Sequence, residues 1–311
     1  MIDITTILVP VDFSEPSKKA LAYGASLATQ FNAKLIVAHV VPESSALTYA
    51  FPTESFAIEQ TQYEKAKEEL RGLLPPDRAN AVDLQTIARI GQIDGELLGI
   101  VKDESIDLVV MGTHGRGYAG RWFLGSITER MLRKVPVPVV TVSHVEDGKH
   151  RLDSGLTTIQ RILYAADVPE PSPGMDYAFE LAQRSGAALT IVHVTEFLSL
   201  PYGAGAHITD EATEFMNEMR RRFDEFLSRE NPQGIGIETV VCKGQPYREI
   251  LNVAEDRSID LIVLNMHSKG VIERAFLGST AERVVRLAHI PVLSVPSSAF
   301  ALQRDSADAR L

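Results

Sequence analysis

Two glycine-centred patterns hold the residues of this chain whose types and spacing could do chemistry. Gly112-Thr113-His114-Gly115 is followed by nine residues and then by Gly125-Ser126. Asn265-Met266-His267-Ser268 is followed by nine residues and then by Gly278-Ser279. Each pattern trails an apolar, strand-like run and leads into a helix-like run. Glycines in such a turn let the backbone approach an anion, and the N–H groups and dipole of the following helix start then face it. The first copy is a candidate phosphate cradle. The second has exchanged both turn glycines for residues with side chains. A tight βα turn needing glycine only for backbone geometry is the competing reading. It explains one glycine more easily than two glycines plus a Gly-Ser at the next helix start.

The neighbours of these patterns narrow the chemistry. Ser126 and Thr128 lie at the helix start, where exposed N–H groups can accompany a hydroxyl. Ser126 with Glu129, and Ser279 with Glu282, also fit a capping box, so both serines are expected either as N-caps or as ligand contacts. Asp12 and Asp167 each end a first strand, where the carboxylate could accept from an adenine or ribose or could start the following turn. Arg116 and Arg121 are the cations near the first cradle; Lys269 and Arg274 are those of the second. Neither copy has the lysine that follows the glycines of a P-loop, nor a dinucleotide fingerprint with its ribose acid. His114, between the glycines, is placed to touch phosphate. His39 and His193 recur at strand ends and read as structural. None of these histidines is spaced as a zinc site. Cys242, in a strand, reads as core.

Stepping along the chain, the two halves align almost without gaps. Residues 7–12 match 162–167, 33–40 match 187–194, and 105–110 match 258–263, with the offset drifting only from 155 to 153. That constancy marks a tandem duplication. In the first half, strands are expected at 6–11, 34–40, 82–88, 107–111 and 138–142. Helices are expected at 16–31, 55–73, 93–103 and from 126. Ala20, Leu21, Gly24, Leu27, Ala28 and Phe31 fall on one face of the first helix. The second half repeats the order, with a helix near 209–229 whose stripe reads Phe215, Met219, Phe223 and Phe226. Strands this apolar, separated by helices, belong in a parallel sheet covered on both faces. The expected fold is α/β: two doubly wound, Rossmann-like, five-stranded domains in tandem. The polar stretch at 143–158 is the expected boundary, and the last dozen residues read as a tail.

The 311 residues suit two domains. A formal net charge of −10 argues against sequence-independent nucleic-acid binding, which needs a basic face, but leaves room for a small anion at a local site. One cysteine permits no intrachain disulfide and suits a reducing cytoplasm. The apolar runs are strand-sized, so no membrane partner is expected.

The Gly-x-x-Gly, nine residues, Gly-Ser pattern, together with Pro10-Val11-Asp12-Phe13-Ser14 and His39-Val40, resembles the universal stress protein family over both halves. The resemblance implies one domain at 1–145 with an intact nucleotide motif and another at 158–298 with a degenerate one. In ATP-binding members the first-strand Asp and second-strand Val frame the adenine, and the glycines and Gly-Ser hold ribose and phosphates. Carried over, this implicates Pro10, Val11, Asp12, Val40, Gly112, His114, Gly115, Arg116, Gly125, Ser126, Ile127 and Thr128. Asp167, Val194, Gly278 and Ser279 are what remains of the pocket in the second half. The implied ligand is ATP, with Mg²⁺, serving as a signal or structural ligand in stress response and hydrolysed slowly if at all. No general base or arginine finger suggests efficient phosphoryl transfer, so no catalytic residue is assigned. A slow ATPase or nucleotidyl-transfer enzyme, and a nucleotide-free interaction module, stay open. The family also commonly pairs its last strand across a two-fold axis. That implies an intramolecular pseudo-dimer through residues 137–142 and 290–295, with a homodimer a further option.

Overall fold

The structure, a computed structural model, describes residues 2–43, 52–113, 124–143, 159–195, 207–231, 235–266 and 278–297, without the side chains of 52–55 and 207–212. The chain divides into two compact units, one built mainly from residues 3–158 and the other mainly from residues after 158. Each repeats the strand–helix alternation expected from the hydrophobic pattern.

The first half runs β1 (Thr6–Pro10), α1 (Glu15–Phe31), β2 (Lys34–Pro42), α2 (Pro52–Arg71), a single turn α3 (Pro76–Ala79), β3 (Leu84–Gly91), α4 (Ile93–Asp103), β4 (Leu108–Gly112), α5 (Ser126–Lys134) and β5 (Val139–Val142). Its strands are all parallel, in the order β3-β2-β1-β4-β5. The order reverses between β1 and β4. That is the switch point at which open α/β sheets bind ligands, outside the carboxyl ends of the strands. Ile7, Leu8 and Val9 of β1 are wholly buried, as expected for the middle of a sheet covered on both faces. Helix α1 starts on Ser14, whose side chain accepts from the Ser17 N–H, with a proline in the first turn. It buries the face read from sequence, Ala20, Leu21, Gly24, Leu27, Ala28 and Phe31. Helix and sheet approach closely at Gly24, where a Cβ would stand 2.6 Å from Val9 Cγ2.

The second half runs β6 (Arg161–Ala165), α6 (Pro173–Ser185), β7 (Ala188–Thr195), α7 (His207–Glu230), β8 (Ile237–Lys243), α8 (Pro246–Asp256), β9 (Leu261–Met266), α9 (Ser279–Leu287) and β10 (Val292–Pro296). Its parallel order is β8-β7-β6-β9-β10, the same winding. One stripe differs from expectation. Met219 and Phe223 of α7 are buried together with Leu227, which the expected stripe does not include, while Phe226 is half-buried and Phe215 is 46% exposed. A helix of 24 residues is about 36 Å long, while the 7-residue β8 beneath it spans about 23 Å. The first turns of α7 therefore outrun the strand they would cover. Among the described residues no helix is long and apolar enough to cross a membrane.

Candidate functional site

At the end of β1 the chain turns sharply. The Val11 N–H donates to the Ala38 carbonyl at 2.8 Å, and the Val11 carbonyl accepts from His39 Nδ1 at 2.7 Å. His39 thus ties β2 to the β1 exit, a structural use. Phe13 takes a left-handed conformation, φ 64°, and its ring lies 4.6 Å from the His39 ring. A bulky residue in that region costs about 1–3 kcal/mol and tends to mark a functional turn. Asp12 Oδ1 accepts from the Ser14 N–H at 3.1 Å and from the Ser14 hydroxyl, while the Asp12 N–H donates to Ser17 Oγ at 3.4 Å. The carboxylate therefore builds the turn into α1. Pro10 and Asp12 are half-buried, Val11 and Val40 buried.

Across the switch point, β4 ends on Gly112. Its carbonyl accepts from the Thr128 hydroxyl at 2.9 Å. The Thr113 N–H donates to the Val142 carbonyl at 3.0 Å, and the Gly125 N–H donates to the Thr113 carbonyl at 2.8 Å. These bonds pin the first turn of α5 against the end of β4. The capping-box expectation fails here. The N-cap of α5 is Gly125, extended at φ −58° and ψ 136°, with no side-chain cap, and Ser126 is already the first helical residue. Because Gly125 supplies the extended cap backbone, its carbonyl takes the Glu129 N–H, and the Ser126 side chain is left exposed. The N–H groups of Ser126, Ile127 and Thr128 donate to no described residue, so the helix start keeps the open donors and positive dipole end that suit an anion. His114, Gly115 and Arg116 lie outside the described residues.

The second half keeps the helix start and changes the strand end. Gly278 caps α9 without a side chain, and Ser279 follows it exposed, as in the first half. Ala281, however, stands where Thr128 stands, and Asn265 where Gly112 stands. Asn265 Nδ2 donates to Tyr164 Oη at 2.6 Å and to Ser172 Oγ at 3.2 Å, and its Oδ1 accepts from the Gly174 N–H at 2.7 Å. Tyr164 and Ser172 hydroxyls are 2.7 Å apart. A Cβ on Gly174 would meet Asn265 Oδ1 at 2.5 Å, so the network needs glycine there. Burial pushes the Tyr164 hydroxyl up to about 12. Asp167 is exposed and Val194 half-buried. His193 Nδ1 donates to the Ala166 carbonyl at 3.0 Å, repeating the His39 bond.

Sequence reasoning missed one further element that positions the site. Asp94 on α4, with a side chain only 3% exposed, meets Lys134 Nζ at 2.7 Å and Arg130 Nε at 3.3 Å, both on α5. Its carboxyl is held below the ordinary range, chiefly by the Lys134 hydrogen bond, against the opposing effect of burial. In the second half Tyr247 stands at this place, with the Arg283 guanidinium 5.0 Å from its ring centroid. The Asp94 signal in sequence was a carboxylate on the apolar face of a predicted helix.

Comparison with known proteins settles the lineage. The profile of the universal stress protein family matches residues 3–143 and again residues 158–296. The chain belongs to the universal stress protein family. Both halves carry the match, so it is a tandem, two-domain member, and the family role in stress response comes with membership. It is similar to a universal stress protein of Mycobacterium tuberculosis, 27% identical over 305 residues that cover 92% of this chain and 95% of that protein. A universal stress protein of Methanocaldococcus jannaschii is 31% identical over 140 residues, 40% of this chain and 78% of that one. Among solved structures, a universal stress protein from Archaeoglobus fulgidus superimposes with a TM-score of 0.68 at 21% identity, covering 94% of this chain and 98% of that chain. That last likeness speaks to fold.

Proposed function

We propose that the first half of this universal stress protein binds ATP and that the chain uses it as a signal or structural ligand in stress response. The observation that carries this reading is the open start of α5. Among the described residues no side chain caps its first N–H groups, and the Thr128–Gly112 bond holds them beside the carboxyl end of β4, at the switch point of the sheet. Ser126, Ile127 and Thr128 would meet the phosphates. Val11, Asp12 and Val40, at the ends of the two neighbouring strands, would frame the adenine. Mg²⁺ would arrive with the phosphates, since among the described residues no group of three His, Cys, Asp or Glu side chains could hold a metal. Bound Mg²⁺–ATP would supply a charged, rigid ligand between the β1 and β4 exits.

Two measurements test the reading. Mass spectrometry of small molecules released from freshly purified protein should find adenine nucleotide. Calorimetry of nucleotide-free chain with ATP and Mg²⁺ should give one site per chain and much weaker binding of GTP. No heat with ATP, or equal response to both, would overturn it. Turnover stays at the background rate on this reading; steady phosphate release above it would instead favour a slow ATPase.

A further inference from the structure

The outer edge of the first half carries a feature that the nucleotide reading does not use. Strand β3 is the last of that sheet and pairs with β2 alone among the described strands of its half. The Leu35 N–H donates to the Asp83 carbonyl at 2.8 Å, and the Glu43 N–H to the Gly91 carbonyl at 3.3 Å. In a parallel ladder this turns the backbone groups of odd-numbered residues towards β2. Those of Thr86 and Ala88 point away, to the open edge, and no described residue bonds to them there. A row of unpaired N–H and C=O groups is a template for another strand.

Beside this edge lies a cavity of about 300 Å³ between α2 and β3, lined by Tyr63, Lys67, Leu70, Arg71, Thr86 and Ala88. Its wall presents two cations and no carboxylate. Lys67 pairs with Glu64 on the outer surface of α2 at 3.2 Å and lies 5.2 Å from the Tyr63 ring centroid. Arg71 has no ion-pair partner among the described residues. On the opposite face of the same strand the charge is cancelled, since Arg89 meets both Glu96 and Asp103. In a chain of net charge −10, a wall that carries Arg71 with no ion-pair partner among the described residues, beside the exposed Lys67–Glu64 pair, favours an acidic visitor. Among the described side chains of α2 only Ala66 and Leu70 are buried, whereas α7 buries Met219, Phe223 and Leu227 in the matching layer of the second half.

We propose that the β3 edge is a docking site for an extended acidic segment of a partner protein. The segment adds as a further strand, pairs its backbone with Thr86 and Ala88, and places a carboxylate in the cavity against Lys67 and Arg71. The backbone edge gives affinity and the cationic cavity gives choice of partner.

The test is titration of the isotope-labelled full chain with an acetylated octapeptide alternating glutamate and valine, followed by amide chemical shifts and fluorescence anisotropy. Expected is binding that shifts the Thr86 and Ala88 amides, weakens with salt, and falls at least tenfold in Lys67→Glu/Arg71→Glu, whose fold is checked by circular dichroism. A peptide alternating lysine and valine should not bind. Absence of binding at millimolar peptide, shifts confined to other regions, equal affinity for the lysine peptide, or an unchanged double variant would each overturn the proposal. Inorganic phosphate is the competitor. If it displaces the peptide and only the Lys67 and Arg71 signals ever respond, the cavity is a small-anion site and strand addition is wrong.

Discussion

The end of β4 and the end of β9 began as the same piece of chain and now do different work. In the first half the strand ends on glycine, and its carbonyl is tied forward to Thr128, in the helix that follows. In the second half the strand ends on Asn265, and its side chain is tied across the sheet to Tyr164, Ser172 and the Gly174 N–H at the start of α6. The first arrangement leaves bare backbone beside an open helix start. The second fills the strand end with a half-buried amide whose polar atoms are bonded to Tyr164, Ser172 and Gly174. The helix starts themselves, Gly125-Ser126 and Gly278-Ser279, are nearly superposable in conformation. Among the described residues a glycine-capped helix start is therefore not what separates the halves; the side chain at the strand end is. The helix-to-helix joint has diverged as well, from Asp94 with Lys134 and Arg130 to Tyr247 with Arg283.

The contrast can be broken most directly at the cradle. If the proposed ATP reading holds and Gly115 meets phosphate as the family resemblance implies, Gly115→Val in the full chain should lower ATP affinity by about 100-fold, roughly 2.7 kcal/mol, with unchanged circular dichroism, because a β-branched side chain would crowd the phosphates. Calorimetry reads it. Retained affinity would mean that nucleotide sits elsewhere, the second half included.

The polar network offers the next largest effect. Asn265→Ala strands the Gly174 N–H, worth about 1–3 kcal/mol if left unmade, and takes one partner each from the Tyr164 and Ser172 hydroxyls, which keep their bond to each other. Urea unfolding should show the second half losing about 2–3 kcal/mol, with ATP binding untouched. If ATP affinity falls instead, Asn265 serves a ligand and the division of labour drawn above is wrong.

Asp94→Asn should destabilise the first half by about 1 kcal/mol, a modest figure because both cationic partners are about half in water. The folded carboxyl titrates below its unfolded value. Its contribution is then complete above the ordinary carboxylate range near pH 4 and is lost as pH falls through the folded value. Thermal melts from pH 7 to pH 3 should show an acid loss that the variant flattens. An unchanged acid limb would place the responsible carboxylates elsewhere.

Thr128→Val is the mildest probe. It removes the tie between the α5 start and Gly112 at about 1 kcal/mol, and ATP affinity should fall several-fold as the helix start loosens. Stability lost with no change in affinity would confine Thr128 to a structural part.

Much of the architecture was legible in the residues. The hydrophobic alternation placed the strands and main helices within a few residues, and the internal match placed the duplication, because burial on both faces of a parallel sheet leaves a plain signature. The single turn at Pro76–Ala79 was not anticipated, since one turn has no periodicity to read. Ser126 and Ser279 fitted a capping box by spacing, yet glycine took the cap in both halves. Spacing cannot tell a cap from the first helical residue when the preceding glycine can supply the extended backbone itself. Phe215 fitted the stripe of α7 and lies exposed, because periodicity reports a face and not how far the covering strand extends.

By itself the sequence determined the tandem α/β fold, the placing of Asp12, Gly112 and Gly125 at strand and helix ends, and the loss of turn glycine in the second half. Those depend on local pattern and chain order. Only the tertiary structure decided that Asp12 builds its own turn, that Thr128 bonds back to Gly112, that Asn265 reaches Tyr164 and Ser172, and that Asp94 is buried against α5. Each joins residues brought together by packing of separate elements, with geometry set by where neighbouring strands end and how closely helices approach them. No spacing along the chain records that distance.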